Sequence, residues 1–271
     1  MSRPYLSVVI PSFRQVDTIV HDLNRLNHLV KRLVPSHELI LVIDGNEDGT
    51  LTKVRQLHWP ELKIECFHRN QGKGAALRHG LNRSQGQIVA FIDAGSDISA
   101  ASLEVMLALL KLYRADMVIG SKRHPLSEVN YPRLRRVYSF GYQLLNRLLF
   151  RLRVHDTQVG LKLCRREVLA TVLPRIVVKK FAFDLELLVV AHHLGFRRIV
   201  EAPVKIDYNF SSTIGVSAVW RTFWDTLAIF YRLRIIHWYD RPVRSLPTPV
   251  QPATGVIIHH DTPSLHEKVQ I

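Results

Sequence analysis

The chain has 271 residues, 47% of them hydrophobic, and carries 37 Lys+Arg against 23 Asp+Glu for a net charge of +14. The apolar share fills a core and excludes wholesale disorder, and the length suits one large α/β domain or two small ones. The charge calls for an anionic partner: nucleic acid, a phosphorylated substrate or an acidic membrane surface.

The opening stretch MSRPYLSVVIPSF is apolar only briefly before Pro11, too short for a secretory signal core. Within it YLSVVI (5–10) reads as a buried strand, followed by Ile19, Leu23, Leu26, Val30 and Leu33 at helical spacing. ELILVI (38–43) is a second strand and runs into VIDGNEDGT (42–50). There Asp44 ends the strand, Gly45 and Asn46 favour a turn, and Thr50 opens a helix that Asp48 can cap. LKIECF (62–67) is a third strand, followed by HRNQGKGAALRHG (68–80), in which Gly72 and Gly74 flank Lys73 just before a helix. Glycines let backbone N–H groups approach a phosphate, and a helix N-terminus favours negative charge. IVAFI (88–92) is a fourth strand. It runs into FIDAGSDIS (91–99), where Asp93 and Asp97 stand either side of Gly95, with Ser96 at hand, as oxygen ligands for a divalent cation. The alternative for Asp97 is a cap on the helix beginning near Ser99.

Leu103, Met106, Leu107 and Leu110 mark that helix, and MVIG is a fifth strand. GSKRHP (120–125) and RLRR (133–136) cluster Lys122, Arg123, Arg135 and Arg136 where they could hold a phosphate. Residues 133–152 align Leu134, Val137, Tyr138, Gly141, Leu145, Leu148 and Leu152 on one helical face. HDTQVGLKLCRRE (155–167) sets Asp156, Gln158 and Lys162 among apolar residues. FAFDLELL (181–188) places Asp184 and Glu186 at the head of an apolar helix, as a cap or a general base. A last helix, about 217–236, aligns Trp220, Phe223, Trp224, Leu227, Phe230 and Tyr231 opposite Arg221, Asp225 and Arg232. Prolines 242, 247, 249, 252 and 263 interrupt the polar segment 241–271, which reads as a disordered tail.

Strands alternating with helices predict a doubly wound, Rossmann-like, mostly parallel sheet, whose ligands bind beyond the carboxyl ends of the strands. Asp44 and Asp93 should therefore face one crevice. Cys66 and Cys164, far apart and in no CxxC spacing, argue against a disulfide scaffold or zinc site and for a reducing cytosol. No run approaches the ~18 uncharged apolar residues of a membrane span. The richest candidate is broken by Arg221, Asp225, Arg232 and Arg234, so the chain is not expected to cross a membrane. No nucleic-acid reader motif is present.

Taken in order, SVVIPSFRQ, VIDGNEDGT, the N-x-G-K-G loop, FIDAGSD, GSKRH, DTQVGLK and FAFDLELL resemble the inverting nucleotide-sugar glycosyltransferases of the A-type fold. The similarity runs over about residues 5–235 and lies in the polyprenyl-phosphate (dolichyl-type) sugar transferase branch. It implies a glycosyltransferase domain over 1–240, with a donor half about 1–122 and an acceptor half about 123–240, ahead of the 241–271 tail. Pro11, Phe13 and Gln15 match the loop lining the base and ribose pocket, and Asp44 the acid that contacts the base. Asp93 matches the first acid of the D-x-D motif, which carries the nucleotide diphosphate through Mg2+ or Mn2+. Gly95 replaces the second acid, so either Asp93 and Asp97 share the metal across Gly95, which is the favoured reading, or metal binding is weakened or lost. Lys73 would assist the leaving group, Arg123 and Arg135 would seat an acceptor phosphate, and Gln158 would lie near the reacting centre.

DTQVGLK leans the donor toward UDP-glucose, with GDP-mannose second. The implied reaction is transfer of a hexose to a polyprenyl phosphate with inversion, by a cytoplasmic protein lying peripherally on the cytoplasmic face of an anionic membrane, and no nucleic acid is involved. Two alternatives stand beside it: transfer to a sugar or lipid hydroxyl, with Asp184 or Glu186 as base, and a non-catalytic nucleotide-sugar-binding protein.

Overall fold

The computed structural model describes residues 3–94, 100–129, 133–157, 159–206 and 216–243. Its main sheet is built from β1 (Leu6–Ser12), β2 (His37–Ile43), β3 (Leu62–Cys66), β4 (Ile88–Ile92), β5 (Met117–Ser121), β7 (Leu161–Arg165) and β8 (Ile199–Pro203). The strand order is β3-β2-β1-β4-β7-β5-β8. A two-residue strand β6 (Glu128–Val129) pairs separately with β9 (Lys205–Ile206). Helices α1 (Ile19–Leu33), α2 (Thr50–Val54), α3 (Lys73–Arg83), α4 (Ala100–Leu112), α5 (Arg133–Phe150), α6 (Arg166–Val172), α7 (Phe183–His193) and α8 (Val216–Arg234) complete the described elements.

The near-continuous apolar runs of β1, β2 and β4 follow from burial on both sheet faces. Two core layers cover those faces: one packs Leu6, Leu39 and Leu41 against α1 and α4, the other packs Val9, Val42 and Phe91 against α3 and α7. All neighbours are parallel except β7, which runs antiparallel between β4 and β5. The strand LKLCR is absent from the sequence expectations because its polar residues hide it: Lys162 is fully buried in the middle of β7.

The five expected strands and the helices from Ile19, Thr50, Gly72–Ala75, Ser99–Ala100, 133 and 217 are all present to within a residue or two. Their facing differs in two cases. On α5, Tyr142, Leu149 and Phe150 pack on the core, whereas Gly141 and Leu148 of the expected stripe face out with Leu144. On α8, Thr226, Ile229 and Leu233 turn inward, and the aligned aromatic stripe is split: Trp220, Trp224 and Tyr231 are 59%, 63% and 52% exposed, while Phe230 packs on the core. The inner face is selected by fit: Tyr142 Oη meets Thr226 Oγ1 at 2.9 Å and the Phe150 ring packs edge-on to Phe230, which fixes α5 against α8. Of the expected tail, residues 244–271 lie outside the described residues.

Candidate active site

The strand order reverses beside β1, and the carboxyl ends of β1, β2, β4 and β5 open at one end of the sheet. Phe13, Asp44, Asp93 and Lys122 each follow a strand there. Pro11 lies within β1 opposite Val42 and is buried, so the loop starts only at Phe13, two residues later than expected. Phe13 is 40% exposed at the rim with the Arg14 guanidinium over its ring. Two contacts tie this loop to the one after β2: Arg14 pairs with Glu47 at 2.6 Å, and Asp48 accepts from Val16 N–H at 2.9 Å as well as capping Thr50. Gln15 donates to Ala94 O at 3.1 Å and so links the first loop to the residue after Asp93.

Asp44 makes two contacts inside the protein. It is buried, and its two oxygens accept from the Gln71 and Gly72 amides at 2.7 and 2.9 Å. Burial pushes its carboxyl above the usual range while those amides pull it back. Asp44 thus fastens the N-x-G-K-G loop. That loop is also pressed against residues 179–183: a Cβ on Gly72, at φ 100°, would lie 2.7 Å from Lys179 O, and one on Gly74 would lie 2.7 Å from Phe183 Cβ. With Ala75 N–H bonded to Gly72 O and Lys179 O, the amides of residues 71, 72 and 75 are all engaged within the protein. Those three amides are therefore held inside the protein, and the glycines allow the close packing that aims Lys73 from the start of α3.

Lys73, the first residue of α3, donates to Asp93 Oδ2 at 2.9 Å and to Asp184 Oδ2 at 3.4 Å. Asp93 Oδ1 lies 2.8 Å from the same ammonium, is buried, and accepts no well-aligned hydrogen bond. Behind Lys73, Asp184 Oδ1 receives Lys162 Nζ at 2.7 Å, and Lys162 also donates to Val159 O. Burial works to lower the Lys73 pKa, but Asp184 and Asp93 outweigh it and hold the ammonium above the ordinary lysine range. Burial would raise Asp184, but Lys162 and then Lys73 hold its carboxyl below the usual range. Two cations and two carboxylates therefore form one relay from the core to the mouth.

The depressed Asp184 gives a pH signature. Its contribution to stability is complete above its ordinary value of 3.8 and is lost as pH falls through the lower folded value. Asp184→Asn should therefore flatten the acid limb of the stability–pH curve, measured by urea unfolding from pH 7 downward; an unchanged limb would contradict the relay.

Glu186, the second carboxylate of this helix, is held by internal partners as well. It is fully buried and accepts from Val177 N–H, Val178 N–H and Tyr239 Oη at 3.0, 2.7 and 2.6 Å, with Arg232 at 3.3 Å. Burial pushes its carboxyl up against those bonds. It anchors the segment before α7 to the 3-10 turn at Trp238–Asp240.

The turn after β5 puts Arg123 at the same end of the sheet, where its guanidinium bonds Gln143 Oε1 of α5, and Asp156 Oδ2 accepts from Lys122 N–H at 3.2 Å. Arg135 lies in the first turn of α5, with its side chain outside the described residues. Asp97 and Gln158 lie outside them too. Among the described residues no three His, Cys, Asp or Glu gather as a metal cluster, and both cysteines are free.

Two residues of this mouth, Gly160 and Lys162, carry roles that sequence reasoning missed. Asp93 N–H bonds Gly160 O at 3.1 Å, and a Cβ on Gly160 would collide with the Asp93 carboxylate. Only glycine leaves that carboxylate its place. Gly160→Ala should keep the fold and lower turnover by about 100-fold, since a displacement near 1 Å costs that much; wild-type turnover in a folded variant would contradict the placement. The weak signal was a glycine inside the apolar QVGL run. Lys162 stood out only as a polar residue among apolar ones, with no sign of its role, because its partner is distant in sequence.

The sheet, with its acid-bearing mouth at the strand ends, is that of an A-type glycosyltransferase. It superposes on glucosyl-3-phosphoglycerate synthase from Mycobacterium tuberculosis, solved with Mn2+, UDP and phosphoglyceric acid, at a TM-score of 0.63 and 19% identity over 88% of this chain and 80% of that one. Residues 7–173 match the profile of glycosyl transferase family 2, and the chain belongs to that family. Among curated relatives, a dolichyl-phosphate beta-glucosyltransferase of Trichomonas vaginalis is 27% identical over 77% of this chain and 65% of its own length. The mouse dolichyl-phosphate beta-glucosyltransferase is 29% identical over 85% and 76%. The chain is thus a glycosyltransferase, and it spans about two thirds to three quarters of these two relatives.

Proposed function

We propose that this enzyme transfers glucose from UDP-glucose to a polyprenyl phosphate of the dolichyl type, with inversion. The observation that carries the reading is the Lys73 ammonium, held between Asp93 and Asp184 at the carboxyl ends of the strands. The names of the relatives supply the sugar and the acceptor class.

Asp93 offers one hard carboxylate oxygen that accepts no aligned hydrogen bond, which suits Mg2+ or Mn2+; Mg2+ is commonly held by one or two carboxylates together with substrate phosphates. Asp93 would hold the ion with Asp97, and the ion would neutralise charge on the donor diphosphate. The chain's own residues do the rest. Phe13 and Gln15 line the nucleoside side of the mouth, and Asp44 keeps the Lys73 loop closed beneath it. Arg123, braced by Gln143, and Arg135 seat the acceptor phosphate, with Gln158 near the reacting centre. An acceptor oxygen attacks the anomeric carbon on the face opposite the diphosphate, and the bond to the diphosphate breaks as the new one forms. Lys73 stabilises the departing charge, helped by the N-terminus of α3.

A phosphate acceptor is already ionised at neutral pH and needs no base. Asp184 and Glu186, the carboxylates a hydroxyl acceptor would need, are buried and committed to internal partners, which favours the phosphate. The test offers tritiated UDP-glucose and GDP-mannose separately to the purified protein with dolichyl or undecaprenyl phosphate. Organic-extractable label from UDP-glucose is the expected result; label on neither lipid from either donor would refute the reading.

The acceptor's polyprenyl chain stays in the bilayer, so the enzyme must work against its surface. Among the described residues no helix is long and apolar enough to cross a membrane. The outward stripe of Trp220, Trp224 and Tyr231 on α8, beside Leu144 and Leu148 of α5 and the exposed Arg147, Arg221 and Arg234, suits an anionic headgroup layer on the cytoplasmic face. Replacing Trp220 and Trp224 with Ala should weaken co-sedimentation with anionic vesicles about tenfold or more, from the apolar area withdrawn. Carbonate or high salt should release the wild-type protein from membranes; release by detergent alone would contradict peripheral attachment.

A further inference from the structure

At the other end of the sheet lies a second basic feature that the transfer reaction does not use. Ile199 opens β8 and pairs with Met117, which pairs with Cys164, which in turn pairs with Val89 near the start of β4. Asp93, by contrast, follows the last residue of β4. A cavity of about 480 Å3 adjoins Ile199, walled by Arg151, Arg153, His192 and Arg197.

Local sequence explains the clustering. Between α5 and β7, burial alternates: Leu152 and Val154 enter the core, and Arg151 and Arg153 face out together. Arg151 takes φ 54° directly after α5, a position where glycine is the usual residue. His192 comes from the last turn of α7, and Arg197 from the turn leading into β8.

Counter-charge is missing. Among the described residues, none of these four side chains makes a hydrogen bond or ion pair, and the nearby acids are taken: Glu201 by His155 and Asp240 by His193, each at 2.6 Å. The carbonyl end of α7 supplies roughly half a negative charge, against three full positive ones. His192 registers the imbalance: burial, and then Arg197, His193 and Arg153, push its imidazole below the ordinary value.

We propose that this cavity is a second anion site, separate from the donor mouth, that takes a ligand bearing two or more phosphate charges. Guanidinium groups match phosphate oxygens in bidentate pairs, and three of them around one space exceed what a single monoanion would engage. The volume lies in the range of small-molecule sites of about 300–1,000 Å3. A soluble diphosphate and the headgroup of an acidic lipid share this chemistry.

The experiment compares the full chain with the variant Arg153→Gln/Arg197→Gln, whose donor mouth is unchanged. Inorganic pyrophosphate is titrated by calorimetry. In parallel, co-sedimentation is measured with phosphatidylcholine vesicles with and without phosphatidic acid. The variant should keep the wild-type melting temperature and UDP affinity, yet lose affinity for pyrophosphate, for phosphatidic acid vesicles or for both by about tenfold or more, two charge-assisted contacts having been removed. Loss on pyrophosphate alone assigns a soluble ligand, loss on phosphatidic acid alone a lipid headgroup, and loss on both a site open to either. No binding by the wild type in either arm, or equal binding by the variant, would overturn the proposal.

Discussion

Lys73→Ala is expected to fold normally and to lose about 100- to 1,000-fold in turnover, the loss typical when one preorganised group facing a developing anion is removed. The side chain remains 21% exposed, so removing it leaves little void. Its ammonium is the one that Asp93 and Asp184 jointly hold at the mouth, and Asp184 keeps Lys162 in its absence. Stability should therefore change far less than activity. Steady-state kinetics with UDP-glucose and a polyprenyl phosphate provide the check, alongside a thermal melt. Turnover within a few-fold of wild type would remove Lys73 from the mechanism.

Lys162→Met should have the opposite signature at first: a large loss of stability. It strands the buried Asp184 carboxylate without its nearer counter-charge, and breaking such a pair costs about 3–5 kcal/mol. In a domain of this size that lowers the melting temperature by roughly 10 °C. Adding Asp184→Leu removes the stranded charge, and such replacement of a buried ion pair by apolar groups is often neutral. The double variant should therefore melt close to wild type. Its turnover should stay low, because Lys73 has lost the carboxylate that holds it from behind. Recovery of both stability and turnover would mean that the Lys162–Asp184 pair serves packing alone.

How much of this was legible in the sequence depends on how locally each feature is encoded. The strands β1, β2, β4 and β5 are short, mostly apolar runs buried on both sides, and Asp44 and Asp93 follow two of them, so the mouth could be placed from pattern alone. β7 could not, because an internal Lys162 breaks the apolar run and its neutralising partner Asp184 lies 22 residues away. The Gly72–Gly74 pair announced a tight loop but not its reason, which is the close approach of residues 179–183. On α8 the aromatic stripe was visible, yet its facing was not: Thr226 is polar in sequence but goes inside because Tyr142 Oη and Thr222 O satisfy its hydroxyl. Such partners belong to the tertiary structure, so periodicity carries no trace of them.

The most direct measurement is calorimetric titration of UDP into the wild-type protein and into Asp93→Ala, each with and without Mn2+. If Asp93 anchors the donor diphosphate, Mn2+ should tighten UDP binding in the wild type and leave the variant unchanged. Equal tightening in both proteins, or none in the wild type, would contradict the account.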